Sequence, residues 1–139
     1  MDKQNYERIN KKFYDFLEEG KVMGRKCPAC GHVEFPPYIA CNDCGNFETE
    51  WVDLTNAPAQ ATSLVPPSML FGNPEMQKRF DGNYCYATVQ VEGADEYNSV
   101  VLNITPEKTM ELSRKVPLEV RPTIIQEDGY KMVFWEIAE

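Results

Sequence analysis

Two Cys-x-x-Cys pairs constrain this chain more than any other feature of its sequence. The ligand candidates are Cys27 with Cys30 and Cys41 with Cys44; ten residues separate the pairs, and a glycine follows each. Four thiolates at this spacing fit one tetrahedral ion, and zinc is the usual occupant of a site with four cysteine ligands. Because four sulfurs leave no position open for substrate or water, we predict a structural zinc site.

Two other uses of these cysteines have to be weighed. Disulfides are typical of secreted proteins, but the N-terminal residues lack the apolar core of a signal peptide, and the fifth cysteine, Cys85, would be left without a partner. Iron also suits four thiolates. A rubredoxin-like electron carrier therefore stays open as an alternative function.

The charge and hydropathy of the chain argue against two classes of partner, nucleic acids and membranes. The 139 residues carry a net charge of −8, and no apolar run approaches the roughly 20 residues that cross a bilayer. Residues 1–26 hold seven Lys or Arg against five Asp or Glu, and the remainder holds seven against seventeen. An acidic balance opposes binding to a phosphate backbone, so we expect neither a nucleic-acid partner nor a membrane. Reduced thiolates without a leader indicate a cytoplasmic protein.

The N-terminal segment has the periodicity of an amphipathic helix from about Asn5 to Glu19, capped by Asn5 and ended by Gly20. Apolar side chains recur at helical spacing at Tyr6, Ile9, Phe13, Phe16 and Leu17. Two interpretations stay open. The helix packs on its own domain, or its aromatic stripe docks on a partner protein.

The remaining chain is predicted to be mainly β. Short strands flank the cysteine pairs, and alternating segments follow: 49–54, 59–65, 84–91, 99–104, 116–124 and 130–137, with helices predicted at 74–80 and 106–115. Several bent strands with a helix before the last pair are typical of a small closed barrel of the OB type. We therefore expect an N-terminal helix (1–20), a rubredoxin-like zinc ribbon (21–48) and an OB-fold barrel (49–139).

No residue pattern indicates catalysis by the chain alone. His32 is the only histidine, and we interpret it as a solvated turn residue, since four cysteines already complete the tetrahedron. Cys85 lies on the inward face of its strand with no basic residue near it in sequence. It is therefore predicted to be a buried, inert thiol.

The sequence resembles a family that combines a zinc ribbon with an OB fold and is associated with acyl-CoA metabolism. The resemblance covers nearly the whole chain. It rests on the helix ending at Gly20, on Arg25-Lys26 before the first pair, on Phe35-Pro36-Pro37 between the pairs and on Glu50-Trp51-Val52 after them. One departure is Tyr38, which stands where the family usually has an arginine.

The resemblance implies a non-catalytic accessory subunit. Members of the family accompany thiolases, thiolase-like synthases, or steroid-side-chain aldolases and hydratases, and the partner carries the catalytic residues. The chain is thus expected to form a hetero-oligomer with a thiolase-like catalytic subunit, and to help bind or route the CoA thioester. The alternative is a nucleic-acid-binding ribbon and barrel, whose aromatic side chains would stack on bases.

Two sets of residues follow as predicted contacts. Because CoA carries phosphate charges, the basic side chains near the ribbon and in the second predicted helix are candidate CoA ligands, with solvated surface charges as the alternative. These residues are Lys21, Arg25, Lys26, Lys78 and Arg79. The candidate interface residues are the aromatic anchors Tyr6, Phe13, Phe16 and Phe35.

Overall fold

A computed structural model describes residues 3–67 and 74–138, and the side chains of residues 3–8 are outside this description. The chain forms two compact units. The first comprises Met1–Ala57, Val91–Asp95 and Ile124–Val133, and the second comprises Pro58–Gln90, Glu96–Thr123 and Phe134–Glu139. The predicted division into three consecutive domains stays a prediction.

The first unit is built on helix α1 and a three-stranded antiparallel sheet. Helix α1 spans Lys3–Glu18, and the strands are β1 (Met23–Lys26), β2 (Val33–Glu34) and β3 (Glu50–Asp53), in the order β2-β1-β3. Leu17 is fully buried, Phe16 packs edge-on against Trp51 with ring centroids 5.2 Å apart, and Phe13 packs against Phe35 at 6.2 Å. The aromatic stripe of α1 therefore covers the sheet of its own unit.

Five further strands form a closed barrel. They are β4 (Ala59–Val65), β5 (Tyr84–Val91), β6 (Tyr97–Leu102), β7 (Leu118–Gln126) and β8 (Lys131–Ile137), with α2 (Pro74–Arg79) and α3 (Pro106–Leu112) between them. Around the barrel the order is β4-β5-β6-β8-β7, and β6 pairs with β8 in parallel. This order, with a helix between the third and fourth strands, is the Greek-key barrel of the OB fold. The predicted fold class is confirmed.

The pairing of β5 with β6 decides which side chains face the barrel interior. Cys85 lies opposite Val101 and Val89 lies opposite Tyr97, so these four side chains share one face. Cys85, Val89 and Val101 have no exposed surface. Trp135 on β8 is also buried, and its indole N–H donates to the Tyr97 hydroxyl at 2.7 Å. The barrel core therefore includes a satisfied polar contact, between Trp135 and Tyr97, among apolar side chains.

Several predicted elements match the structure closely, and the predicted cap of the first helix is wrong. Strands β4 and β5 have the predicted bounds, and Gly20 ends α1 with φ of +80°. Helix α1 begins at Lys3, so Asn5 lies inside it and does not cap it. The part of the irregular 68–83 stretch that includes Met69, Leu70 and Phe71 lies outside the described residues.

Candidate metal centre

The four paired cysteines come together at one point. Their Sγ atoms all lie within 4.8 Å of one another, with Cys27 to Cys44 at 3.6 Å and Cys30 to Cys41 at 3.5 Å. A tetrahedral ion with metal–sulfur bonds of about 2.3 Å requires sulfur–sulfur distances of about 3.8 Å. The observed separations therefore fit a single tetrahedral ion with four thiolate ligands.

Each Cys-x-x-Cys pair forms, with the glycine after it, a hook of five residues: 27–31 and 41–45. The two hooks have the same backbone geometry. In the first hook, the Gly31 N–H donates to the Cys27 carbonyl at 2.8 Å, and the Cys27 N–H donates to the His32 carbonyl at 2.9 Å. In the second hook, the Gly45 N–H donates to the Cys41 carbonyl at 2.8 Å, and the Cys41 N–H donates to the Asn46 carbonyl at 2.9 Å. Gly31 and Gly45 both have φ of +80°, which a residue with a side chain adopts only at a cost. The glycine after each pair is therefore required by the turn.

Hydrogen bonds to sulfur and the neighbouring thiols give the cysteines of the site different pKa values. Burial raises the pKa of Cys27, but donors from the Cys30 and Ala29 backbone and from the Asn46 amide outweigh it and lower that pKa to about 6. For Cys30, the His32 N–H lowers the pKa, while the neighbouring Cys41 thiol and burial raise it to about 12. One thiolate forms readily and then disfavours a second, because like charges repel. A dication among the sulfurs removes that repulsion.

Glu34 is a buried carboxylate beside the second hook that no sequence pattern had indicated. It is only 7% exposed, and its carboxylate accepts hydrogen bonds from the backbone N–H of Asn42 at 2.7 Å and from the Asn42 side-chain amide at 2.8 Å. Asn42 lies inside the second hook, directly after Cys41. No local sequence signal marks this contact, since it joins residues from different strands and loops.

The interpretation of His32 as a solvated turn residue is wrong. Its side chain is 14% exposed, and its Nε2 atom lies 3.3 Å from Glu34 Oε1 and 3.5 Å from Asp95 Oδ2, without the alignment of a hydrogen bond. The reason is tertiary, because Val33 forms a bridge with Ala94 and brings the 91–95 turn beside the first hook. His32 remains outside the set of four sulfur ligands.

The candidate CoA ligands divide between the two units, with Lys21, Arg25 and Lys26 in the first and Lys78 and Arg79 in the second. Lys21 and Lys26 are exposed, as are both residues of α2. Arg25 is different: its Nε donates to the Thr49 hydroxyl at 3.0 Å, another guanidinium N–H donates to the Thr49 carbonyl, and its Cζ lies 4.7 Å from the centroid of the Trp51 ring. The Arg25 guanidinium is therefore already engaged within the protein.

The candidate interface residues also contact their own unit. Phe35 is 5% exposed, Phe13 and Phe16 are half-buried, and the Tyr6 side chain lies outside the described residues. The exposed large apolar side chains of the described chain are others, none of them a predicted interface residue: Tyr14, Tyr38, Phe47, Met110 and Tyr130. Tyr14 on α1 and Tyr130 stack edge to face, with centroids 5.9 Å apart.

Comparison with known protein families identifies the ribbon. Residues 15–50 match the family model described as the ChsH2, rubredoxin-like zinc ribbon domain. The matched stretch contains both hooks and stops at the first residue of β3. No curated protein sequence matches the chain significantly.

Two solved structures share the fold of nearly the whole chain. One is described as an Ltp2-ChsH2(DUF35) aldolase; it aligns with a TM-score of 0.64 at 18% identity over 92% of this chain and 93% of that chain. The other is a DUF35-family protein of unknown function from Sulfolobus solfataricus, with a TM-score of 0.58 at 16% identity over 97% and 91% of the two chains. In this chain, none of the described helices has the length and apolar character needed to span a bilayer.

Proposed function

We propose that this protein is a non-catalytic accessory subunit of an acyl-CoA enzyme complex of the thiolase type, held in shape by one structural zinc ion. The observation that carries the proposal is the closed set of four sulfurs, which fits an ion but leaves it no position for a substrate. Such an ion stabilises a fold and does no chemistry on a thioester. The chemistry is then assigned to a partner.

The named relatives support an accessory role. The family model that matches the ribbon carries the name of ChsH2, and a structure with the same fold is described as an Ltp2-ChsH2(DUF35) aldolase. By analogy, we propose a catalytic partner with which this chain forms a hetero-oligomer. Among thiolase-type complexes, we propose a role like that of the small subunit of benzoylsuccinyl-CoA thiolase, so benzoylsuccinyl-CoA is the first thioester to test.

In this role the chain's own residues bind the zinc ion and contact the catalytic subunit. Cys27, Cys30, Cys41 and Cys44 would hold the zinc, which supplies rigidity to a ribbon with a small core. Helix α1 packs on that ribbon through Phe13 and Phe16. Exposed apolar side chains such as Tyr14 and Tyr130 then offer contact area to the catalytic subunit.

Purification from the native cytoplasm tests the proposal. We expect the tagged full chain to contain about one zinc per chain, to cleave no acyl-CoA alone, and to bring down a thiolase-type subunit whose activity depends on it. Cleavage of a thioester by the isolated chain, or a metal-free pure protein, would overturn it. Red colour and visible absorption would instead identify the iron-containing alternative.

A further inference from the structure

Glu34 is a buried carboxylate at the centre of the ribbon, between its two metal hooks. It belongs to the two-residue strand β2, which follows the first hook, and it is 7% exposed. A buried charge is costly unless hydrogen-bond donors compensate it, so its presence calls for a specific partner. Among the described residues, Asn42 donates the hydrogen bonds to this carboxylate, and His32 Nε2 lies 3.3 Å from Oε1 without the alignment of a hydrogen bond.

Both carboxylate oxygens of Glu34 bond to Asn42. Oε1 accepts the backbone N–H at 2.7 Å and Oε2 accepts the side-chain amide at 2.8 Å. These are short, charge-assisted bonds, and together they fix both the position and the orientation of the acceptor. Since Asn42 directly follows Cys41, the contact fixes the turn that carries Cys41 and Cys44 relative to the strand after the first hook.

Comparison of the two hooks explains why only the second one has such a contact. The residue after the first cysteine of the first hook is Pro28, which has no N–H to satisfy. At the equivalent place the second hook has Asn42, an exposed residue whose backbone N–H donates to Glu34. Glu34 gives this N–H a charged acceptor within the ribbon, which the first hook, with a proline at that place, does not need.

We propose that Glu34 is a positioning residue for the metal: by holding Asn42 it sets the second hook at the distance from the first that one ion requires. The inference rests on the proposed zinc site and deepens it. Glu34 contacts no metal ligand atom itself and acts through the hook. Its loss should therefore accelerate metal release and weaken metal affinity while the barrel keeps its stability. Partners of this kind typically change metal affinity by about 10- to 100-fold when removed.

The test measures zinc release from the full-length, zinc-loaded protein to a chromophoric chelator, with urea unfolding of the same samples as the second readout. We expect Glu34→Ala to release zinc about 10- to 100-fold faster than the wild type, and Asn42→Ala, which keeps the backbone bond, to lie between them. Glu48→Ala is the matched control, because it removes an exposed carboxylate from the same ribbon. Glu48→Ala should change the rate of zinc release by less than about twofold.

Exchanging the carboxylate and the amide between positions 34 and 42 tests whether Glu34 acts by positioning the second hook or through a general effect on stability. In the double variant Glu34→Gln with Asn42→Asp, the glutamine oxygen accepts the backbone N–H and the glutamine amide donates to the new carboxylate. We expect this pair to restore zinc release to near the wild-type rate, relative to Glu34→Ala. The spectrum of the cobalt-substituted protein should stay that of four tetrahedral thiolates in every variant, because no ligand is changed.

The outcomes distinguish this inference from the proposed function. If Glu34→Ala and Asn42→Ala release zinc at the wild-type rate, or if both lose only urea stability, Glu34 does not position the hook, although the zinc site itself stands. If Glu34→Ala does not fold, the rates of zinc release from Asn42→Ala and from the exchanged pair test the inference instead. A wild-type protein that holds no zinc would overturn the proposed function as well.

Discussion

The backbone N–H of Val33 donates to the carbonyl oxygen of Gly93 at 3.0 Å. Val33 lies two residues after Gly31, the glycine of the first hook, and Gly93 belongs to the turn between β5 and β6, which is part of the same compact unit. A parallel bridge between Val33 and Ala94 extends the contact. The loop that carries two of the sulfur ligands is thus tied to a segment about sixty residues further along the chain.

Substitution of Gly93 should measure how closely these segments approach. Gly93 has φ of +85°, and a Cβ atom there would lie 3.1 Å from Val33 Cγ2. We expect Gly93→Ala to lower the free energy of unfolding by about 1–2 kcal/mol for the backbone conformation, and by roughly 1 kcal/mol more for the displaced Val33. Urea unfolding of the metal-loaded protein measures both contributions together.

Gly129 supplies the matched control for that experiment. Its φ of +83° is nearly the same, but a Cβ atom there would meet nothing within 4 Å. Gly129→Ala should therefore cost only the backbone contribution of about 1–2 kcal/mol. Equal losses in the two variants would contradict a tight contact between Val33 and the turn.

Loss of one sulfur ligand should abolish metal binding and the ribbon fold together. Zinc binding contributes roughly 10–16 kcal/mol of apparent folding free energy in zinc-finger peptides, far more than a ribbon of this size can lose. We expect Cys41→Ser to reduce zinc well below one ion per chain and to abolish binding of the catalytic partner, as measured by elemental analysis and co-purification. Cys85→Ala is the control, because that thiol is outside the site; an intact complex containing Cys41→Ser would refute the prediction.

Arg25 should contribute to stability through its contacts with Thr49 and Trp51. A lysine keeps the charge but loses the fork that meets both oxygens of Thr49 and the planar contact with the indole ring. We expect Arg25→Lys to lower the free energy of unfolding by about 1 kcal/mol. A double-mutant cycle with Trp51→Leu should give a coupling of about 0.5–1 kcal/mol.

The same variant tests whether Arg25 is a CoA ligand. If the Arg25 contacts are structural, Arg25→Lys should leave the KM of the partner reaction for CoA unchanged. The exposed neighbour Lys26 offers a control, since Lys26→Ala should change stability by less than about 0.5 kcal/mol. A raised KM in Arg25→Lys at unchanged stability would support the CoA prediction instead.

Charge reversal on α2 tests the second set of candidate CoA ligands. Lys78 and Arg79 lie in the last turn of α2, both exposed. If they meet CoA phosphates, Lys78→Glu with Arg79→Glu should raise the KM for CoA of the partner reaction several-fold, at low salt more than at high salt. The pair Lys108→Glu with Lys115→Glu, on and just after α3, is a control of equal charge change. Unchanged kinetics in the variant of Lys78 and Arg79 would show that these two charges do not meet CoA.

Alkaline pH should destabilise the barrel through Cys85. Burial, opposed by hydrogen bonds from Thr109 and Val101, raises the pKa of this thiol to about 11 from a usual value of 9.0. Because the folded protein then holds the proton more tightly than the unfolded chain, the contribution is fully present below pH 9 and is lost as pH rises toward 11. The loss amounts to about 2–3 kcal/mol at most.

Comparison with Cys85→Ala isolates that contribution, because the other four cysteines are the same in both proteins. Urea unfolding at pH 8 and pH 10.5 should show a smaller decrease in stability for the variant than for the wild type. Parallel decreases would show that Cys85 does not carry this part of the pH dependence. Burial also raises the pKa of Tyr97, so some alkaline loss should remain in the variant.

The barrel strands and the cluster of four cysteines could be predicted because their signals are local. Alternation of apolar residues in β5 depends only on the period of a strand, and the structure buries the same four side chains: Cys85, Ala87, Val89 and Val91. The hook geometry likewise depends on the two residues between paired cysteines and on the glycine that follows them. Neither needs information from a distant part of the chain.

Contacts between distant segments were decided by the tertiary structure. Glu34 alternates with apolar neighbours as an outward-facing strand residue would, yet the second hook folds over it and makes it the acceptor for Asn42. Tyr97 lies between the predicted strands 84–91 and 99–104, but pairing with Val89 makes it part of β6 and brings its hydroxyl to Trp135. His32 is enclosed because Val33 pairs with Ala94.

By itself, then, the sequence determined the two Cys-x-x-Cys pairs, the turn glycines and the succession of strands along the chain, since each follows from residues within a few positions of one another. Only the tertiary structure decided which buried polar groups meet, because a hydrogen bond between residues such as Glu34 and Asn42 depends on how strands and loops pack, and packing is a property of the whole chain.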